Sequence, residues 1–420
     1  IKYILDLPGI DVNVMTHHSN NYIMWTASKG NLPVMKLLLD KGSKTDIINS
    51  HGQSLLMHAA MSGKADPELY DFCLQNGGDI KNDKDEIGRN VMLVAIAGLK
   101  DLSFLKYFTD RGLSINDVDQ NGNGLFNYAV QSGNVQTIKS LVAMGVQYKI
   151  NKLGENAFAH VGRGRGGKVT VELLEYLKSL KIDPKLTFAN GQNLAHTISR
   201  LGLGDEFISF LDQNNIDKSK IDHDGNSVLN LAAPRSSASL LKYWINYGDI
   251  NQINKNGQSP LYQAVASNTT EAVKLLVDSG AHVHWKDKDG NNLYHTLIQN
   301  YRSAKGSLER VAAIMDILQE AGLQHVKDGS LLHIALQKND QNLLDFLIKK
   351  GEDINAKDKE GYTILHYAAM RAKDLTMVKY LIDKNANVQI KTELDESLSE
   401  LIKENEALSA KKLTLDHINR

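Results

Sequence analysis

Few stretches of this 420-residue chain hold residues whose types and spacing could do chemistry. Val161-Gly-Arg-Gly-Arg-Gly-Gly-Lys168 fits Gly-x-x-x-x-Gly-Lys through Gly162, Gly167 and Lys168, the spacing of a loop that cradles phosphates with backbone amides and a lysine. That loop requires a strand before it and Ser or Thr after the lysine; here Val169 follows and a helix is expected to precede, so nucleotide binding is not expected. Exposed amides with Arg163, Arg165 and Lys168 still make a candidate anion-binding loop. Asp117-Val-Asp-Gln-Asn-Gly122 opens like a calcium loop, but Tyr128 stands where the bidentate glutamate belongs. His282 and His284 have strand spacing that could put both rings on one face, with no third zinc ligand nearby. Cys73, between apolar neighbours on a helix, reads as a small buried hydrophobe, and a single cysteine forms no internal disulfide. No Gly-x-Ser-x-Gly elbow, His-Glu-x-x-His helix or Cys-x-x-Cys pair occurs. These residues assign no catalytic group, no metal and no cofactor, and the chain reads as a non-enzyme.

The elements that position these residues repeat. Ser19, Gly52, Gly88, Gly122, Gly154, Gly191, Gly225, Gly257, Gly290, Asp328 and Gly361 occupy equivalent places, with steps of 33, 36, 34, 32, 37, 34, 32, 33, 38 and 33 residues. Asn121-Gly122, Asn190-Gly191, Asp224-Gly225, Asn256-Gly257 and Asp289-Gly290 are type I′ turn signals and predict the tips of β-hairpin fingers. A first helix is predicted from Leu125 to Ser132, broken by Gly133, and a second from Val135 to Met144, ended by Gly145. Such a unit cannot bury its faces alone, so its core must lie between neighbours.

A period near 33 built from a turn and two helices, with Gly361-Tyr-Thr-Ile-Leu-His-Tyr-Ala-Ala369 and Gly257-Gln-Ser-Pro-Leu-Tyr-Gln-Ala264 as its clearest copies, resembles the ankyrin repeat family. The resemblance covers about residues 1 to 392. It implies an all-α fold: a solenoid of about eleven helix-turn-helix units with β-hairpin tips, right-handed in its connections. The consensus histidine stands at His196, His295, His333 and His366, where a ring nitrogen can satisfy backbone groups of the next unit. It is replaced by Met24, Met57, Leu93, Asn127, Ala159, Asn230 and Tyr262, so stability should vary along the stack.

The resemblance also implies a protein partner, held on a concave face by hairpin tips and first helices. Carried over by position, that surface takes in Lys255, Asn256, Gln258 and Ser267. It continues through Lys288, Asp289, Asn291, Gln299 and Asn300 to Lys359, Glu360, Tyr362, Met370 and Arg371. The functional expectation is a protein-interaction scaffold. One alternative is an anion- or small-molecule-binding protein, with hydrolase activity, centred on Gly162–Lys168. Another is an inhibitor or immunity-type binder that occludes an enzyme.

Formal net charge is −1 and the sequence pI about 7.0, which gives no electrostatic reason for nucleic acid or an anionic membrane as partner. No run approaches the length of a membrane span, so a soluble monomer is expected, cytoplasmic or, if a signal peptide was removed, periplasmic or secreted. Ile1 to Gly9 reads as the second helix of a repeat whose first half is missing. The array is expected to run from 1 to 392 with a bend near 160–190, around the irregular 32- and 37-residue steps of the fifth unit. Tyr301 to Leu308 lengthens the ninth unit, and such an insertion often carries contacts. Residues 393–420 are expected to form capping helices, one from Glu393 to Ile402 started by Thr392 and a second from Glu406 to Asp416.

Overall fold

The computed structural model describes residues 2–5, 7, 9–164 and 167–417. The chain divides into two compact units, Ile1–His223 and Asp224–Arg420. Each is a stack of helix-turn-helix repeats, and each is described by itself.

The repeat around residue 122 shows how the sequence builds the element. Asp119 N–H donates to Asn123 O at 2.9 Å, and Gly122 N–H returns to Asp119 O at 3.0 Å. Gly122 adopts φ 84° while Asn121 is not among the residues with positive φ. The tip is therefore not the type I′ turn expected from Asn-Gly, which needs two successive left-handed residues. It is a turn closed by one left-handed residue, the three-residue hairpin geometry. The same two bonds recur at Asn49, Asp85, Asn151, Phe188, Asn254, Asp287, Asp358 and Thr392. Among the described residues these fingers form no strand beyond the isolated bridge between Lys84 and Asn90.

The first helix, Leu125–Ser132, ends at Gly133 in the left-handed region, and the second, Val135–Ala143, starts at Asn134, whose side chain accepts from Thr137 N–H. Leu125, Ala129, Ile138 and Leu141 are buried to 0% exposure between them and their neighbours. Fully burying one such leucine or isoleucine contributes roughly 1.5–3 kcal/mol. Asn, Ser, Thr or Asp caps most other helices in the same way, among them Asn31, Ser54, Asp66, Thr170, Ser259 and Thr363. Fingers are also stitched together: Gln120 N–H donates to Ile87 O at 3.0 Å and Lys152 N–H to Asn121 O at 2.7 Å.

Two places depart from the regular unit. The first helix of the fifth repeat is a single 3-10 turn, Ala157–His160, before the glycine-rich loop. The C-terminal segment is a further repeat, and no helix starts at Glu393. Thr392 N–H donates to Glu396 O and Asp395 N–H to Thr392 O, while Asp395 takes φ 63° in the place the fingers give to glycine. Aspartate tolerates that conformation through local hydrogen bonding of its short side chain. The helix starts later, Leu398–Glu404, capped by Ser397 with Glu400 closing a capping box, and is followed by Glu406–Ala410. Leu398, Leu401 and Leu408 are buried, whereas Leu394, in the finger, is 76% exposed.

Candidate interaction surface

Each finger is held by a side chain. Asp358 Oδ1 accepts from the amides of Glu360 at 3.0 Å and Tyr362 at 2.9 Å. Asp287 does the same for Asp289 and Asn291, Asn254 for Asn256 and Gln258, and Asp119 for Asn121 and Asn123. A short polar side chain binding amides two and four residues on fixes the tip without a ladder of strands. Neighbouring anchors are linked as well: Asn151 Nδ2 donates to Asn123 Oδ1 at 3.0 Å and Asn254 Nδ2 to Asn226 Oδ1 at 2.9 Å.

The first helix adds a second support. Its fourth residue after the N-cap reaches back to the anchor of its own finger. Tyr128 hydroxyl donates to Asp119 Oδ2 at 2.6 Å, Tyr367 hydroxyl to Asp358 Oδ2 at 2.7 Å, and Asn49 Nδ2 donates to His58 Nε2 at 3.2 Å. Burial pushes the Asp358 carboxyl up, but the Tyr362 amide, the Tyr367 hydroxyl and the Glu360 amide outweigh it and hold it below the usual aspartate value. Burial and the neighbouring Asp358 raise the Tyr367 phenol. The tip of the finger and the first helix thus form one rigid patch.

The residues expected at an interface lie in the second unit. Lys255, Asn256, Lys288, Asp289, Lys359 and Glu360 are exposed at finger tips, and Ser267, Gln299, Asn300 and Arg371 are exposed at the ends of first helices. Gln258, Asn291, Tyr362 and Met370 are half-buried. Gln258 Oε1 accepts from Asn254 and Gln263, and Asn291 Nδ2 donates to Asp287, so these two side chains are engaged inside their own repeats. The structure gathers others around Tyr367. Lys359 and Glu360 line a cavity of about 370 Å³ with His333 and Tyr367. Arg371 lines a groove of about 940 Å³ with Tyr367, Leu336 and Met377. The Arg371 guanidinium lies over the Tyr367 ring, 4.9 Å from its centre. Ser267 and Asn300 meet in a third cavity.

Tyr367 and His333 were missed by position-by-position transfer, and so was the exposed trio Tyr22, Trp25 and Met61 on first helices of the first unit. A register count would have found Trp25, Tyr128 and Tyr367, which all stand four residues after a first-helix N-cap, whereas His333 shares the register of His366.

The glycine-rich loop is built differently from an anion cradle. Arg163 is bound to both oxygens of Glu155, at 3.2 and 3.3 Å, and the glutamate side chain is 4% exposed. A Cβ at Gly164 or Gly167 would strike the Gln131 carbonyl, and one at Gly133 would strike that of Lys168. The glycines therefore let the loop pack on the preceding repeat. Lys168 is exposed, and Arg165 lies outside the described residues. Cys73 is fully buried, which pushes its thiol up to about 12. His282 and His284 are both exposed on either side of buried Val283. Among the described residues no three His, Cys, Asp or Glu side chains are placed to hold a metal ion. Nor, among them, is any helix long and apolar enough to cross a membrane.

Residues 194–289 and 301–392 match the family model of ankyrin repeats. The chain is 30% identical over 185 residues to a phosphocholine transferase, AnkX, of Legionella pneumophila, covering 39% of this chain and 19% of that protein. It is 25% identical over 290 residues to the human transient receptor potential cation channel subfamily A member 1, covering 66% of this chain and 25% of the channel subunit. It therefore spans about a fifth to a quarter of the length of these relatives. The crystal structure of the ankyrin repeat domain of Bcl-3 aligns with a TM-score of 0.40 and 19% identity, over 53% of this chain and 99% of that domain.

Proposed function

We propose, on the premise that this chain is an ankyrin-repeat protein, that it is a non-enzymatic scaffold. It binds a partner protein on the face made by finger tips and first helices of the second unit, the concave face in the family's usual arrangement. Ankyrin repeats are in general protein-interaction domains, and the observation that carries the finer reading is the surroundings of Tyr367. Exposed Lys359, Glu360 and Arg371 border two adjoining recesses around one tyrosine whose hydroxyl is fixed by Asp358. A pre-positioned aromatic with a stacked arginine and mixed charges at its rim is the composition of a binding hot spot. It costs little conformational entropy to use, because the finger is already rigid.

The Gly162–Lys168 alternative has less to offer a ligand. Its one described arginine is already neutralised by Glu155, so no observation favours it over packing. The transferase named among the relatives shares 19% of its length with this chain, and no catalytic group is carried over from it. The test is capture of partners from the source cell with the native chain and with Lys359, Tyr362 and Arg371 all changed to alanine. Loss of a captured protein, with unchanged far-ultraviolet circular dichroism, supports the proposal. Equal recovery of every captured protein places the contacts elsewhere.

A further inference from the structure

The insertion from Tyr301 to Leu308 builds a pocket that shares only Ser267 and Asn300 with the proposed interface. Tyr301 is 5% exposed and its hydroxyl donates to Asp340 Oδ2 at 3.3 Å, which pins the start of the insertion to the next repeat. Asp340 is occupied on its other side as well, since it caps Leu343 N–H. Ser307, also buried, accepts from Arg310 Nη2 at 2.9 Å and fixes the other end. Between these two pins lies a cavity of about 410 Å³, within the size range of small-ligand sites.

Its charged lining is of one sign. Arg302 comes from the insertion and Arg310 from the first turn of the helix Ser307–Glu320. Among the described residues neither guanidinium has an acidic partner, and Ser307 Oγ is the hydrogen-bond partner of the Arg310 guanidinium. Lys305 is exposed between them, and Glu309 is the acid nearest in sequence, exposed on the helix. Gly306 precedes the helix and provides no side-chain cap; Ser307 N–H is taken by Ala304 O at 3.1 Å, and among the described residues no side chain caps the amides of Leu308 and Glu309 that follow. Other described arginines are paired with acids: Arg163 with Glu155, Arg111 with Asp71 and Arg89 with Asp85, while Arg371 stacks on Tyr367.

We infer that this pocket binds a phosphate group. Two guanidiniums from separate backbone segments can each take a pair of oxygens, which a tetrahedral oxyanion supplies and a single carboxylate does not. The group can be free inorganic phosphate or the phosphoryl of a partner peptide. Ser267 and Asn300 belong both to this pocket and to the proposed interface, but the site does not depend on that interface: it needs no protein partner to form.

The test is isothermal titration calorimetry on the full chain at low ionic strength. The probes are sodium phosphate, with sodium chloride as the ionic-strength control, and a glycine-flanked phosphoserine pentapeptide with its unphosphorylated counterpart. Saturable binding of phosphate or of the phosphopeptide is expected. It should weaken by about tenfold or more when Arg302 and Arg310 are both changed to glutamine, and stay unchanged in Lys168→Ala. Binding of free phosphate marks an ion site; binding of the phosphopeptide alone marks a docking pocket; either supports the assignment. No saturable binding of any probe overturns it, as does equal binding by the double variant or loss on Lys168→Ala. Both arginines are exposed, and overlapping melting curves establish that the variants fold. If phosphate fails while alanine changes at Lys359, Tyr362 and Arg371 still abolish partner capture, the pocket falls and the interface stands.

Discussion

Arg163 grips both oxygens of Glu155 from eight residues away, and this pair turns a glycine-rich loop from a candidate ligand site into a structural clasp. Burial pushes the Glu155 carboxyl up, but the Arg163 hydrogen bonds and charge and the Asn151 amide outweigh it and leave it below the usual glutamate value. A carboxyl held low in the folded state contributes stability above its unfolded pKa, about 4.3, and loses it as pH falls through the lower folded value. Arg163→Ala should cost roughly 1–3 kcal/mol, less than a fully buried pair because the arginine is partly exposed. Changing both residues to glutamine should restore most of that. Denaturant unfolding at pH 7 checks both numbers. A neutral Arg163→Ala would mean that the clasp is absent in solution.

Two buried histidines give the first unit a pH dependence of its own. His58 and His160 are 3% and 1% exposed, and burial lowers each to about 4. His58 Nε2 accepts from Asn49, a bond that a protonated ring cannot make, and His160 Nδ1 faces the Gln131 amide. Arg163 adds to the lowering at His160, while Glu155 and Asp119 oppose it. With an unfolded pKa near 6.5 and a lower folded one, the unfolded chain takes up protons first as pH falls. The stabilisation is complete above about 6.5 and drains between there and about 4, at roughly 1.4 kcal/mol per pH unit for each ring. Hydrogen exchange in the helix Leu55–Met61 and the turn Ala157–His160 should speed up between pH 7 and pH 5, after correction for intrinsic rates. Flat protection across that range would refute the assignment.

The repeat, its helices and its helix stops were legible because they rest on local rules. Glycine steps, small residues on first helices and polar caps all act within a few residues, and the helix Leu125–Ser132 matches its predicted limits. The finger turn was misread because Asn-Gly is a signal for two geometries, and the choice lies in a third residue: the Asp119 carboxylate that binds both following amides. The late start of the last repeat was hidden for a related reason. Glu393 to Glu396 carries a good helix-start composition, but Asp395 does the work of a glycine there. The Arg163–Glu155 clasp and the cavity beneath Tyr301 depend on which side chains meet across a turn, and spacing alone does not specify that.

Counting consensus histidines understated the regularity of the stack, and this can be measured. His366 Nδ1 accepts from Thr363 N–H at 3.1 Å, and Nε2 meets Ile390 O of the next repeat at 2.9 Å. Asn230, in the same register, accepts from Ser227 N–H at 3.0 Å and donates to Gln252 O at 3.1 Å. The asparagine makes both bonds of the histidine with a shorter side chain. Asn230→Ala should cost about 2 kcal/mol, from the lost acceptor of the Ser227 amide and the half-buried Gln252 carbonyl left without its donor. Asn230→His should recover at least half of that in thermal or denaturant melts. Equal losses in the two variants would show that the position is governed by volume, not hydrogen bonding.

The central claim is that finger tips and first helices of the second unit form the binding face. Hydrogen exchange of the full chain, alone and with its captured partner, tests it most directly. The account predicts added protection within 255–258, 288–300 and 359–371, and little change in the second helices Thr270–Asp278 and Gln341–Lys349. Protection confined to those second helices, with the finger tips unaltered, would contradict it.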